Sequence, residues 1–114
     1  MNLKVISSIT ACGVAILATL FPANADAQGN GFTNATPVGI GSVTSGVLNY
    51  SGDADYFAFT VTNTATYVMY TRGTNNTYGR LYNSAYSQVA YDNDSGENYN
   101  FRMVVSLTPG TYYV

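Results

Sequence analysis

The decapeptide Gly52-Asp53-Ala54-Asp55-Tyr56-Phe57-Ala58-Phe59-Thr60-Val61 (GDADYFAFTV) carries the clearest fold signal in the chain. Phe57, Phe59 and Val61 fall on one parity, and Tyr56, Ala58 and Thr60 on the other. Side chains alternate faces along a strand, so this pattern predicts a β-strand, expected over residues 55–62, with one face turned to a core. Asp53 and Asp55 share the parity of the apolar set. A carboxylate aimed toward a core side needs a metal ion, backbone N–H groups or water as partner.

The same alternation recurs on both sides of this stretch. Val43 to Tyr50 carries Val43, Val47, Leu48 and Tyr50 around Gly46, and Thr66 to Thr71 (TYVMYT) is rich in β-formers. Arg80-Leu81-Tyr82 and Gln88-Val89-Ala90-Tyr91 flank Asn83-Ser84-Ala85, which reads as a hairpin turn. From Asn100 to Leu107 the chain alternates again, with Phe101, Met103, Val105 and Leu107 on one parity. Thr108-Pro109-Gly110 is a turn signal before a last strand, Thr111 to Val114. Helical periodicity is not sustained anywhere after the N-terminal segment. Short strands at regular spacing with polar turns predict an all-β fold, an antiparallel sandwich or barrel.

The N-terminus has a different composition. Met1-Asn2-Leu3-Lys4 is a short basic start, Val5 to Phe21 is apolar, and Ala23-Asn24-Ala25 and Ala25-Asp26-Ala27 are small-residue sites. This is the pattern of a signal peptide, residues 1–25, cleaved after Ala25 or Ala27. A retained membrane anchor, or a lipobox ending at Cys12, are the competing readings. Export predicts a secreted or periplasmic protein, free of the membrane after cleavage. A polar lead-in arm then covers 26–36 and the β-domain 37–114. Because the final strand stops at Val114 without a turn or polar cap, the sandwich is expected to be incomplete there and the chain to be part of a longer one.

Composition limits the chemistry. The 114 residues suit one small domain, and 9% charged residues with 46% hydrophobic is not a disordered profile. The only bases are Lys4, Arg72, Arg80 and Arg102, against a formal net charge of −2, so no basic patch exists for nucleic acid. Histidine is absent and the single cysteine, Cys12, lies in the leader. Ser-His-Asp and Cys-His nucleophiles and His/Cys zinc sites are thereby excluded from the exported chain. A carboxylate pair drawn from Asp53, Asp55, Asp92, Asp94 and Glu97 is the one catalytic arrangement the composition leaves, and the expectation is that this segment is not an enzyme.

Asp53 and Asp55 have two readings. Both carboxylates can cap the strand entrance by accepting N–H bonds. Alternatively they hold Ca²⁺, a hard cation that takes about 6–8 oxygens, so further ligands would come from elsewhere. Asn30 and Asn34 in the arm qualify only if the arm folds back. The cluster Asp92-Asn93-Asp94-Ser95-Gly96-Glu97 has the opening of an EF-hand loop, but counting from Asp92 puts Gly96 fifth and Met103 twelfth, where that loop needs Gly sixth and Glu twelfth. A hairpin turn is the preferred reading. The 11 tyrosines suit either a binding platform for an extracellular polymer or the covering of a small sandwich; the second is preferred.

These motifs, in this order, resemble the bacterial pre-peptidase C-terminal domains. GDADYFAFTV is similar to that family's GDxDYFxFxV core. Leu81-Tyr82-Asn83 followed by Val89-Ala90-Tyr91-Asp92-Asn93-Asp94 is similar to its LYD…LA…DD hairpin, and Leu107 to Val114 to its LxxGTYYV ending. Asn34-Ala35-Thr36-Pro37-Val38 suits its ATPL opening. The resemblance implies a jelly-roll-like β-sandwich, a non-catalytic accessory module of a secreted bacterial protein, and a catalytic domain in the same parent chain as its partner. Relatives in bacterial collagenases bind collagen and calcium, the ion held by an acidic arm and the acidic turn that Asp53 and Asp55 match. The arm here reads Gln28-Gly29-Asn30-Gly31 where the family tends to have Glu-Pro-Asn-Asp, and retains only Asn30. Alternatives to a calcium-stabilised accessory module are a polysaccharide- or collagen-binding module, or the N-terminal part of a secreted hydrolase whose catalytic domain lies beyond Val114.

Overall fold

A computed structural model describes residues 1–7, 18–19, 29–48 and 50–114. They form an all-β sandwich of two sheets. The strands are β1 (Asn2–Ser7), β2 (Ala18–Thr19), β3 (Thr36–Pro37), β4 (Val43–Ser45), β5 (Phe57–Val61), β6 (Ala65–Arg72), β7 (Gly79–Tyr82), β8 (Gln88–Asp92), β9 (Arg102–Leu107) and β10 (Gly110–Tyr113). One sheet runs β2-β4-β1-β6-β9 and the other β3-β5-β10-β7-β8. Pairing is antiparallel throughout except at the two short strands β2 and β3. Short 3-10 turns at Phe32–Asn34 and Glu97–Tyr99 are the helical elements among the described residues.

The core forms where the alternating sequence directs it. Phe57, Phe59 and Val61 of β5, Leu81 of β7 and Tyr112 of β10 face inward from one sheet. Tyr67 and Met69 of β6 with Met103 and Leu107 of β9 face them from the other. Each of these positions is withdrawn from water, and a fully buried Val, Leu or Phe side chain contributes about 1.5–3 kcal/mol. Tyr67 and Tyr112 reconcile their phenols with burial by donating to the carbonyls of Asn63 and Thr108, at 2.8 and 2.9 Å.

Two of the shifted boundaries bear on the site. The strand expected over Val43–Tyr50 ends at Ser45, because its neighbour β1 begins at Asn2 and the ladder has no partner further on. The strand expected from Asp55 begins at Phe57; Tyr56 instead bridges back to Gly29 of the lead-in arm.

Residues 2–7, at the start of the segment whose composition reads as a leader, form a central strand. β1 lies between β4 and β6, with Leu3 and Val5 2% and 1% exposed. Cys12 and the two cleavage sites, Ala23 to Ala27, lie outside the described residues. Among the described residues no helix is long and apolar enough to cross a membrane.

Candidate functional site

The lead-in arm folds back. Tyr56 N–H donates to the Gly29 carbonyl at 2.7 Å, Thr36 N–H to the Tyr56 carbonyl at 2.8 Å, and Gly29 N–H to Thr36 Oγ1 at 3.2 Å. Gly29 is required here: a Cβ built on it would stand 1.7 Å from the Asn34 carbonyl oxygen, so the arm closes on itself only without a side chain. Asn30 therefore follows a residue paired with Tyr56, directly beyond Asp55. Asn34 lies in the 3-10 turn of the same arm.

Asp53 and Asp55 sit in the turn ahead of β5, where Asp53 N–H donates to the Tyr50 carbonyl at 3.1 Å. Asp53 Oδ1 and both carboxylate oxygens of Asp55 are shielded from solvent. The turn opens on a cleft of about 670 Å³ between the ends of the two sheets. Leu3, Phe57, Phe101 and Val114 contribute apolar surface to it. Asp53, Asp55, Asn75, Asn76 and Arg80 supply polar groups, and Tyr50, Tyr56, Tyr78 and Tyr82 aromatic ones. The shared parity of Asp53, Asp55 and Phe57 thus ends in a common cleft, with the carboxylates at the strand entrance.

The donors fit a hard cation and no soft one. Carboxylate oxygens withdrawn from solvent at one turn are hard donors of the kind that a cation such as Ca²⁺ takes. Among the described residues no three of His, Cys, Asp and Glu group together, so any further oxygens would be amide or backbone ones; Asn75 and Asn76 line the cleft with the two aspartates, whereas Asn30, in the paired arm, does not.

The second acidic turn is of another kind. Asp92 Oδ2 accepts from Arg102 N–H at 2.8 Å and Ser95 N–H at 3.1 Å, while Oδ1 accepts the Ser95 hydroxyl at 2.6 Å. The carboxylate joins the end of β8 to the start of β9; the expected hairpin turn is instead a connection between the sheets, because β8 pairs with β7 in one sheet and β9 with β6 in the other. Desolvation works to raise the Asp92 pKa, but the hydrogen bonds from Ser95, Arg102 and Asn93 outweigh it and hold it below the usual value. Asp92, Asp94 and Glu97 do not line the cleft that Asp53 and Asp55 line.

A pH effect follows from Asp92. Its folded pKa is depressed, so its contribution is present above the unfolded carboxylate value of about 4 and is lost as pH falls through the folded one. Asp92→Ala is expected to lower stability by about 1 kcal/mol at pH 7, the typical worth of such turn hydrogen bonds. Urea melts of the two proteins should converge as pH drops below about 4; an undiminished difference at low pH would assign the loss to packing.

Beyond the core pair Tyr67 and Tyr112, two surface groups of tyrosines stand apart, which composition alone did not separate. On the outer face of the second sheet, Tyr56, Tyr82 and Tyr113 meet Phe32 of the arm edge-on, with ring centroids 5.0, 5.0 and 5.5 Å away. Tyr86 stacks on Phe32 at 4.4 Å and lies in the left-handed region at φ 61° in the β7–β8 turn, where its N–H donates to the Asn83 carbonyl at 2.9 Å. This cluster pins the arm to the sheet, the covering role expected for tyrosine. Tyr78 and Tyr91 differ: they stack on each other at 6.1 Å yet stay 50% and 64% exposed. The Arg80 guanidinium lies 5.0 Å from the Tyr78 centroid. Hydrogen bonds to Tyr78, then Tyr82, raise the Arg80 pKa further, so its charge is permanent. Tyr78 and Arg80 also line the cleft, joining the exposed pair to the Asp53/Asp55 turn.

Compared with family models, curated proteins and solved structures, the chain finds no match in any of the three.

Proposed function

We propose that this chain is a non-catalytic, exported accessory module that holds an extracellular polymer, polysaccharide first, against the cleft and its tyrosine platform. The observation that carries this reading is the exposed Tyr78–Tyr91 stack with Arg80 beside it, continuous with a cleft lined by amides and carboxylates. A neutral sugar presents apolar C–H faces and hydroxyl edges. Exposed rings offer surface to the faces; Asn75, Asn76 and Arg80 offer hydrogen bonds to the edges. The resemblance to pre-peptidase C-terminal domains supports the accessory role, and in this reading the chemistry would belong to another domain of a parent protein.

In the same reading Asp53 and Asp55, assisted by amide oxygens lining the cleft, hold Ca²⁺. The ion would fix the turn at the mouth of the cleft, and no bond-breaking step runs through it. Extracellular calcium modules bind in the range of about 10⁻⁴–10⁻³ M. At about ten times the dissociation constant a ligand stabilises by about 1.4 kcal/mol, raising the midpoint of a domain this size by about 6–11 °C.

One two-armed experiment tests both parts. In pull-downs on insoluble polysaccharides and on fibrous collagen, the full chain is expected to be retained by polysaccharide, and Tyr91→Ala with Tyr78→Ala to lose that retention. Retention on collagen alone would replace the ligand class, and retention on neither would leave a structural role. Thermal melts in calcium against chelator should show the predicted shift, absent in Asp53→Ala and Asp55→Ala. An unchanged midpoint at 10 mM calcium, about ten times the weakest dissociation constant expected, would remove the metal.

A further inference from the structure

We propose that the polymer held at the tyrosine platform is acidic, a uronic-acid polysaccharide whose carboxylate pairs with Arg80 while the sugar ring rests on Tyr78 and Tyr91. This deepens the polysaccharide reading and rests on it. Arg80 points outward from β7 between the buried Gly79 and Leu81. The ladder sets it opposite Tyr91 of β8, while Tyr78 and Tyr82 share its parity on either side. The guanidinium lies 5.0 Å from the Tyr78 centroid, and the Tyr78 and Tyr82 side chains both hydrogen-bond to it. The exposed ring pair and the charge thus lie in one patch of a single sheet face.

The surroundings of Arg80 leave its charge uncompensated. The side chains acting on it are phenols, and among the described residues no carboxylate does so. A guanidinium carries more N–H donors than two phenols accept, and its planar fork matches a carboxylate through two parallel N–H···O bonds. A uronic acid keeps the C–H face and hydroxyl edge of a neutral sugar and adds a carboxylate at the ring. One sugar residue therefore reaches both the exposed rings and the cation beside them, whereas a neutral sugar leaves that charge without a counterpart. Asp92 follows Tyr91 on β8, but its carboxylate is engaged by the N–H groups of Arg102 and Ser95. Asp53 and Asp55 share the cleft with Arg80. Their charge opposes any anion, but it is the same in the wild type and in an Arg80 variant, so a comparison of the two cancels it.

The test titrates a soluble oligogalacturonate and its methyl ester into the full chain, in calcium-free buffer because calcium cross-links polyuronates. Esterification removes the charge and keeps the ring. The acid form is expected to bind more tightly than the ester. Arg80→Gln should weaken both and lower the acid-to-ester ratio of affinities about fivefold, the upper range for an exposed ion pair. Raising NaCl from about 50 to about 500 mM should lower the wild-type ratio likewise, because salt screens exposed charges. A purely structural role for Arg80, such as holding Tyr78 in place, would reduce both affinities equally. An unchanged ratio in Arg80→Gln, or a wild-type ratio indifferent to salt, therefore overturns the proposal. The salt arm decides the case if Arg80→Gln does not fold. Equal binding of the two forms by the wild type also overturns it, and leaves the polysaccharide reading standing. So does binding of neither form; retention in the polysaccharide pull-down then decides whether the wider reading falls with it.

Discussion

Asn100→Ala is expected to remove about 3 kcal/mol of stability, near the upper end for a single polar truncation. Asn100 is 1% exposed and uses both ends of its amide. Its Nδ2 donates to the Gly73 and Glu97 carbonyls at 3.0 and 2.8 Å, and its Oδ1 accepts from the Thr71 and Thr77 hydroxyls at 2.9 and 3.2 Å. Thr77 Oγ1 in turn accepts Phe101 N–H at 3.2 Å. One side chain thereby fastens the loop after β6 to the loop before β9, beneath the cleft. Alanine leaves buried carbonyls and hydroxyls short of partners, each at a cost of about 1–3 kcal/mol before relaxation or water entry. Asn100→Asp discriminates this account from simple loss of volume. It puts an anion among carbonyl oxygens, so its folded pKa rises and its penalty should be largest at pH 7 and shrink toward pH 4. Urea denaturation at the two pH values measures this; a pH-independent penalty would contradict it.

Gly79→Ala is expected to cost about 2 kcal/mol, within the range of about 1–3 for overpacking a filled core. A Cβ on Gly79 would stand 2.5–2.7 Å from Cγ, Cδ1 and Cδ2 of Phe101, whose ring lies against the β7 backbone. The ring is 4% exposed and packed among the other core residues, so it moves only by displacing them. On strand propensity alone the substitution should be mildly favourable; the clash reverses the sign. The double-mutant cycle with Phe101→Leu isolates the contact. In the Leu background the Gly79→Ala penalty should fall to well under half, and additive losses would mean that Gly79 serves the backbone instead.

Both predictions concern residues whose importance was not legible in the chain. Asn100 reads as the polar start of an alternating run, and Gly79 as a strand residue between Tyr78 and Arg80. Each depends on a neighbour more than twenty positions away in sequence: the pairing of β6 with β9 brings Thr71 and Gly73 to Asn100, and the packing of one sheet on the other brings Phe101 to Gly79. The strands themselves were legible, because Phe57/Phe59/Val61 and Phe101/Met103/Val105/Leu107 obey a period of two that acts locally. Boundaries were less so: the run after Val43 ends at Ser45 because its ladder partner ends there, a fact carried by residues 2–7 and not by 43–50.

The candidate site was legible in part. Asp53 and Asp55 stood out by parity, and the turn at Asp92 by its Asp, Asn, Ser and Gly content, since both signals are local. That the arm returns so that Gly29 pairs with Tyr56, and that Tyr78 and Tyr91 stay exposed while Tyr56, Tyr82 and Tyr113 are covered by Phe32, could not be read from composition.

The sequence by itself determined that this protein is built from strands, where their inward faces lie, and that a chain without histidine has no His-based nucleophile. Only the tertiary structure decided which strand lies beside which, including the place of residues 2–7 between β4 and β6, and which carboxylates, amides and rings share a cleft. Alternation is a property of neighbouring residues, whereas strand order and site assembly depend on shape complementarity between segments far apart along the chain, which no local pattern encodes.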